Sequence, residues 1–289
     1  MIKDILKTLK VNHYIKNLVV FIPLIFSMNV FNVEKITGCI YMFAAFCLIS
    51  SAVYVMNDLA DIEQDRKHPV KCNRPIASGR ISKRFAGFLL VMLVCLSLAI
   101  SLHFNILCAV SVISYFVLNI CYSLWFKKVV LIDVACIATG FILRILAGCY
   151  VISVVPSPLV VLMTFFLSMF FTFSKRKMEL QLVDMNNRRS ALKDFDINII
   201  NQFVAINAIL AISFYFTYVL DAVTIERAGT RYLYLTAIPF TLIVFQLLLL
   251  VNNKEVQDDP IIFIERNVKL KYLTLFYFIV LFIVMFYLK

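Results

Sequence analysis

Charged side chains are scarce in this sequence, and their scarcity excludes an ordinary soluble domain. Soluble chains carry about a quarter charged residues and slightly under half apolar ones. Here only 16% are charged and 62% are apolar, with a mean hydropathy of +0.91. A soluble fold of 289 residues has too little interior for that much apolar surface, whereas bilayer lipid can take it. Carboxylates are scarcer than cations, 17 against 28, leaving a net charge of +11. No basic run alternates with stacking aromatics on a soluble module, so nucleic-acid binding is excluded. Membrane proteins gather Lys and Arg in cytoplasmic loops for topological reasons. The eight cysteines form no CxxC pair and no Cys-His cluster. Six of them (Cys39, Cys47, Cys95, Cys121, Cys136 and Cys149) sit in apolar stretches as small hydrophobes. A disulfide framework or zinc site is not expected. Small-residue cleavage signals and Pro-rich linkers are also missing, so the first apolar run reads as a retained helix and residues 1–289 as a single domain.

What the chain does contain is long apolar runs. A helix crossing the hydrocarbon layer needs about 20 mostly apolar residues. Candidate spans fall at 17–31, 36–57, 84–102, 104–121, 129–150, 157–174, 197–220, 232–251 and 270–288. The third and fourth are separated only by His103 to Asn105. The fold class expected is all-α, a polytopic membrane protein of nine helices. With the N-terminus inside, 23 Lys and Arg fall on the cytoplasmic side and 4 on the other, with Arg144 inside a span. That alternation supports the count, a multi-pass inner-membrane location and chemistry on the cytoplasmic side.

The first cytoplasmic loop is the most informative. It reads Asn57-Asp58-x-x-Asp61-x-Glu63-x-Asp65-Arg66, then Lys71-x-Asn73-Arg74-Pro75, then Ser78-Gly79. If the second span continues through it, a step of about 100° per residue puts Asn57, Asp58, Asp61 and Asp65 on one stripe. Three aligned carboxylates repel one another unless a cation sits among them. Oxygen-only ligands suit Mg²⁺, which combines protein carboxylates with substrate phosphates. Glu63 points away. The competing account is an acidic helix end balanced by Arg66 and Lys67, which the helix dipole disfavours. Arg66, Lys67, Lys71, Arg74 and Arg80 are placed to clamp phosphates or simply to mark the cytoplasmic side. Arg74, held before Pro75, is the strongest of these.

Two further loops add candidates. Tyr122, Trp125, Lys127 and Lys128 precede Asp133, which enters the fifth span. Asp133, Ile137, Gly140, Arg144 and Gly148 share one face of that span. An arginine within a span is costly, so Arg144 should face a polar cavity and an anionic partner, either a substrate or a structural carboxylate. Asp133, three turns away, is too distant to pair with it along one straight helix. Trp125 reads as an interfacial anchor. At the mouth of the sixth span stand Lys175, Arg176, Lys177 and Glu179, followed by Asp184, Arg188 and Arg189. Lys175 and Glu179 have the spacing of a helical ion pair, while Lys175 or Arg176 could equally hold a lipid phosphate.

These motifs resemble those of the UbiA superfamily of intramembrane prenyl-group transferases. Asn57-Asp58-x-x-Asp61-x-x-x-Asp65 is similar to that family's first aspartate-rich motif. The branch it looks most like is decaprenyl-phosphate phosphoribosyltransferase. The residues that carry this are His13-Tyr14-Ile-Lys16-Asn17, Asp61-Ile-Glu-Gln-Asp65-Arg66 and Asn73-Arg74-Pro75-Ile-Ala-Ser78-Gly79. Tyr122-Ser-Leu-Trp-Phe-Lys127, Asp133-Val134, Arg144-x-x-Ala-Gly148, Lys175-Arg176-x-x-Glu179-Leu180 and Asp259-Pro260 extend the likeness over nearly the whole chain. In two places it departs. The loop after the sixth span is basic rather than carrying a second aspartate-rich motif, with Glu179, Asp184 and Asp194 its only acids. Tyr14 also stands where the branch often has tryptophan.

The resemblance implies nine helices around a central cavity and transfer of a 5-phosphoribosyl group from phosphoribosyl pyrophosphate to polyprenyl phosphate. Pyrophosphate is released, and the product serves cell-wall or surface polysaccharide precursors. Under it, Asp58, Asp61 and Asp65 hold Mg²⁺ with Asn57 assisting, and Arg66 and Arg74 neutralise phosphate charge. Tyr122, Lys127 and Asp133 line the sugar-phosphate pocket, while Lys16, Lys175, Arg176 and Arg144 grip the lipid phosphate. An aromatic prenyltransferase and a membrane transporter are the alternatives. The absence of a second aspartate motif counts against the first, and the absence of an inverted repeat against the second. Oligomeric state is not legible.

Overall fold

The computed structural model describes residues 2–182, 196–252 and 267–288. Asp184, Arg188, Arg189, Lys193, Asp194, Lys254, Asp259, Pro260, Arg266 and Lys289 lie outside the described residues. Every regular element among the described residues is helical. Eight helices are long and apolar enough to cross a membrane, and nine if the bent pair Ile2–Leu9 with Val11–Phe26 counts as one span. The molecule is therefore an all-α, multi-span integral membrane protein, since helices satisfy every backbone hydrogen bond internally in lipid. The chain divides into two compact units, Met1–Trp125 with Leu143–Pro156 and Phe126–Ile142 with Ser157–Lys289.

The first unit opens with α1 (Ile2–Leu9), a 3₁₀ stretch (Val11–Phe21) and α2 (Ile22–Phe26). The expected short span at 17–31 begins earlier, in the second arm (Val11–Phe26) of a broken segment bent by 47°. Lys10 makes the break, in the left-handed region at φ 51° and ψ 49°. Pro23 then falls in the first turn of α2, where its missing amide hydrogen has no partner to lose. Next come α3 (Val33–Ala60), α4 (Ile62–Lys67), a 3₁₀ turn at Lys71–Asn73, α5 (Lys83–Phe104) and α6 (Ile106–Leu124). The end of α7 (Val130–Val151) completes the unit.

The centre of the first unit is α3. Its Met42, Phe46, Ile49 and Val53 pack with Leu89 and Leu93 of α5, Val112 and Tyr115 of α6, Val20 and Ala147. Ser97 on α5 donates to the Ala45 carbonyl at 2.7 Å, a buried cross-link between α5 and α3. The α5–α6 boundary falls at Asn105, whose side chain accepts from Cys108 N at 2.9 Å and donates to the Tyr150 carbonyl at 3.0 Å. Gly148 of α7 lies under the 3₁₀ stretch so tightly that an added Cβ would stand 2.2 Å from the Val20 carbonyl oxygen. Only glycine fits there.

The second unit contains the start of α7, α8 (Pro158–Leu182), α9 (Ile197–Leu220) and α10 (Ala222–Ala228). A 3₁₀ turn at Tyr232–Thr236, α11 (Ala237–Asn252) and α12 (Val268–Phe286) follow. Asp196, Asp221 and Asn267 cap the N-termini of α9, α10 and α12 with their side chains. Val134, Phe170, Phe173, Val204, Ala208, Val244 and Leu270 form the core. The buried Tyr215 hydroxyl links Thr236 and Tyr277, at 2.8 Å each, so no phenol is stranded in the interior.

Candidate active site

The aspartate-rich segment lies where α3 ends. Asp61, with φ −94° and ψ 8°, interrupts the helix, and α4 resumes at Ile62. The backbone amide of Asp61 still reaches the Asn57 carbonyl at 3.0 Å, and that of Asp65 reaches the Asp61 carbonyl at 2.8 Å. The helical sense therefore carries through the break. Asp58 and Asp65, 2% and 3% exposed, are both turned inward despite being seven residues apart, and Asp61 is half-buried between them. Glu63 is exposed and reaches Arg66 only at 3.6 Å, consistent with its pointing off the stripe.

The cation that such a stripe requires is present in the protein itself. Arg74 sits after the 3₁₀ turn with φ −63° and ψ 141°, the extended geometry that a following proline imposes. Its Nη1 donates to Asp65 Oδ2 at 2.7 Å and Asp58 Oδ1 at 3.1 Å. Lys10 Nζ donates to the same Asp58 oxygen at 3.2 Å and lies 4.6 Å from the centre of the Tyr54 ring. Asn57 accepts from the Ser123 hydroxyl at 2.7 Å, which ties the end of α3 to α6. The turn after Arg74 is tied by Ser78 N to the Arg74 carbonyl at 2.9 Å and closed by Gly79 at φ +79°. Arg66 is exposed, with its Nε donating to the Ala77 carbonyl at 3.1 Å.

A second polar centre in the same unit surrounds Arg144, which is 6% exposed. Its Nε donates to Asn17 Oδ1 at 2.8 Å and its Nη2 to the Tyr115 hydroxyl at 3.0 Å. The guanidinium also lies over the Tyr115 and Phe46 rings, at 4.6 and 5.7 Å. Asn17 in turn donates to Ser50 Oγ at 3.3 Å. An arginine within a span does find a polar niche, built here from amide, phenol and aromatic faces. Lys16, beside Asn17, and Tyr122, near the end of α6, are half-buried.

In the second unit the structure joins two residues that the sequence reading assigns to different substrates. Arg176 holds Asp133 in a bidentate pair, Nε to Oδ2 at 2.7 Å and Nη2 to Oδ1 at 2.9 Å. Its Nη1 donates to both Glu179 oxygens, at 2.7 and 2.8 Å. Glu179 thus pairs at i,i+3 with Arg176. With its side chain 4% exposed, Arg176 engages a lipid phosphate only if this triad opens. Buried Lys177 donates to Asn252. Lys175 is half-buried, and Lys127 is exposed.

Sequence reasoning missed Lys10, Ser123 and Tyr115, and it marked Asn17 only as part of a motif, without its role on Arg144. The pairings carry no local signal, because each spans 29 residues or more of chain.

Fold and site together describe a polytopic helical membrane protein with a buried cluster of carboxylates and cations. The family model described as the UbiA prenyltransferase family matches residues 18–275, and the chain belongs to that family. It is similar to the decaprenyl-phosphate phosphoribosyltransferase of Mycolicibacterium smegmatis, at 26% identity over 258 residues, or 85% of this chain and 81% of that one. It is 29% identical over 272 residues to protein y4nM of Sinorhizobium fredii, covering 91% of this chain and 52% of the relative. The chain therefore spans about half the length of that second relative. A UbiA homologue from Archaeoglobus fulgidus, solved bound to DMAPP and Mg²⁺, superposes with a TM-score of 0.74 at 18% identity, over 98% of this chain and 99% of that one.

The donor set fits a hard divalent cation in part. Among the described residues no three His, Cys, Asp or Glu side chains form a ready metal cage. Asp58 and Asp65, however, converge on one guanidinium nitrogen. One or two carboxylates are what Mg²⁺ takes when substrate phosphates complete its shell, and the Asp61 carboxylate is not brought into a cluster with this pair.

Proposed function

We propose that the protein transfers a 5-phosphoribosyl group from phosphoribosyl pyrophosphate to a polyprenyl phosphate, with Mg²⁺, releasing pyrophosphate. The observation that carries this reading is the Arg74-bridged pair Asp58–Asp65, a buried anionic site already balanced by cations. The names of relatives at 26–33% identity and the basic character of the loop after α8 support it. One diphosphate donor needs one aspartate-rich motif, and a monophosphate lipid needs cations.

In this reading Asp58, Asp61 and Asp65 hold the metal, and Asn57 donates its NH₂ to a phosphate oxygen. When bound, Mg²⁺ supplies charge neutralisation for the departing pyrophosphate. Arg74 engages its carboxylates through Nη1, so Nε and Nη2 remain for phosphate oxygens. Arg66 adds charge at the exposed edge. As the ribose C1–O bond breaks, positive charge develops on the sugar ring. The acceptor phosphate, already anionic at neutral pH, forms the new C1–O bond and needs no general base. Catalysis is then positioning and leaving-group stabilisation. The family resemblance assigns Tyr122, Lys127 and Asp133 to the sugar phosphate and Lys16, Lys175 and Arg144 to the lipid phosphate, and Arg176 holds Asp133 in place. The 23-to-4 cation split supports an N-terminus and site on the cytoplasmic face of the inner membrane, and the near-continuous family match supports one catalytic domain.

The test is direct. Purified protein in lipid receives Mg²⁺, polyprenyl phosphate and ribose-labelled phosphoribosyl pyrophosphate, and label is followed into organic solvent. Magnesium-dependent transfer is expected. Absence of transfer, with prenylation of an aromatic acid from a prenyl diphosphate, would replace this reading by aromatic prenyl transfer.

A further inference from the structure

The first nine residues have a two-sided pattern that the reaction does not use. On α1, Asp4, Ile5, Thr8 and Leu9 turn toward the protein. Ile5 and Leu9 pack on the first unit's core, Thr8 is fully buried, and Asp4 meets Arg80 at 3.5 Å. Lys10, immediately after the helix, is anchored on Asp58. These contacts fix the rotation of α1 about its axis. The opposite half then carries Ile2, Leu6, Lys3 and Lys7 in that angular order, at about 100° per residue. Ile2 and Leu6 are 73% and 51% exposed, and both lysines are exposed. The outward face is therefore an apolar edge beside a cationic edge. Past the bend, Val11, Ile15 and Leu18 are exposed as well.

We propose that α1 is an interfacial helix lying on an anionic lipid surface, with Ile2 and Leu6 against acyl chains and Lys3 and Lys7 on headgroup phosphates. The 47° bend at Lys10 turns α1 away from the direction of the segment that follows it. Water gives no reason to expose two large aliphatic side chains beside each other. A lipid interface accommodates both edges, the apolar one by burial and the basic one by attraction to anionic headgroups. Each lysine near an anionic surface favours the seated state about fivefold. The inference rests on the geometry of the first unit and not on the proposed reaction.

The single tryptophan makes the test simple. The full chain carrying Leu6→Trp with Trp125→Phe is placed in phosphatidylcholine vesicles with or without phosphatidylglycerol. Quenching of the introduced indole is read with lipids brominated near the headgroup, with lipids brominated at the acyl terminus, and with aqueous iodide. Shallow bromines should quench most, and more strongly in the anionic vesicles. Lys3→Glu with Lys7→Glu should lower the equilibrium constant for seating by at least roughly tenfold, read as a smaller gain in shallow-bromine quenching between neutral and anionic vesicles. Iodide quenching without bromine quenching would overturn the proposal by placing α1 in water. Protection from every quencher would overturn it in favour of contact with a second copy, and equal seating in neutral lipid would remove the anionic requirement.

Discussion

Replacing Arg74 by alanine should destabilise the protein far more than loss of a surface charge, and the structure sets the size of the effect. Arg74 Nη1 meets Asp65 at 2.7 Å and Asp58 at 3.1 Å, and both carboxylate side chains are at most 4% exposed. Lys10 would still hold Asp58, but Asp65 would keep a buried charge without its ion pair. Removing one partner of a fully buried pair costs about 3–5 kcal/mol. Arg74 is itself 30% exposed, so water can reach the vacated site. That places the expected loss nearer 2–3 kcal/mol, about twice what a lost neutral hydrogen bond costs. At about 2–4 °C per kcal/mol for a chain of this size, Tm should fall by roughly 5–10 °C. The assay is thermal unfolding in one detergent of wild type, Arg74→Ala, Asp65→Asn and the double variant. The double variant should lose clearly less than the two single losses combined, with a coupling of about 1–3 kcal/mol. Mg²⁺ should restore part of the Arg74→Ala deficit, because the vacated carboxylates can then take a divalent cation. An unchanged Tm in Arg74→Ala, or strictly additive losses, would refute the claim that this guanidinium holds the aspartate pair.

Asp61→Asn should abolish turnover in the label-transfer assay while stability stays within about 0.5 kcal/mol of wild type, since no hydrogen bond or ion pair among the described residues uses that carboxylate; retained turnover would remove Asp61 from the metal set. Gly148→Ala should cost about 1–3 kcal/mol or more by overpacking against the Val20 carbonyl, read as a lower Tm, and a neutral result would mean that the 3₁₀ stretch yields freely. Asp133→Asn should destabilise by about 1.5–3 kcal/mol, because Arg176 loses its buried bidentate carboxylate. Asp133→Asn combined with Arg176→Gln should cost less than the two single losses added, by about 1–3 kcal/mol; strictly additive losses would show that the pair is not coupled.

Much of this protein can be read from its order of residues alone. Apolar runs of about 20 residues report helices in lipid because an unpaired backbone group there is so costly that little else can span. The sequence separates the third and fourth spans only at His103 to Asn105, and the structure puts the break at Asn105, whose side chain caps α6. The inward stripe of Asp58 and Asp65 follows from helical step and spacing, and it survives the break at Asp61 because the backbone hydrogen bonds run through it. Tertiary structure decided the rest. The broken first segment depends on a left-handed Lys10, a backbone state that composition does not reveal. That Lys10 and Arg74 share Asp58 and that Asn17 and Tyr115 hold Arg144 are outcomes of packing between distant segments. That Arg176 is committed to Asp133 is another. A local pattern can show which way a side chain faces on its own helix. It carries no information about which charge from elsewhere in the chain arrives there, because that depends on how whole helices pack.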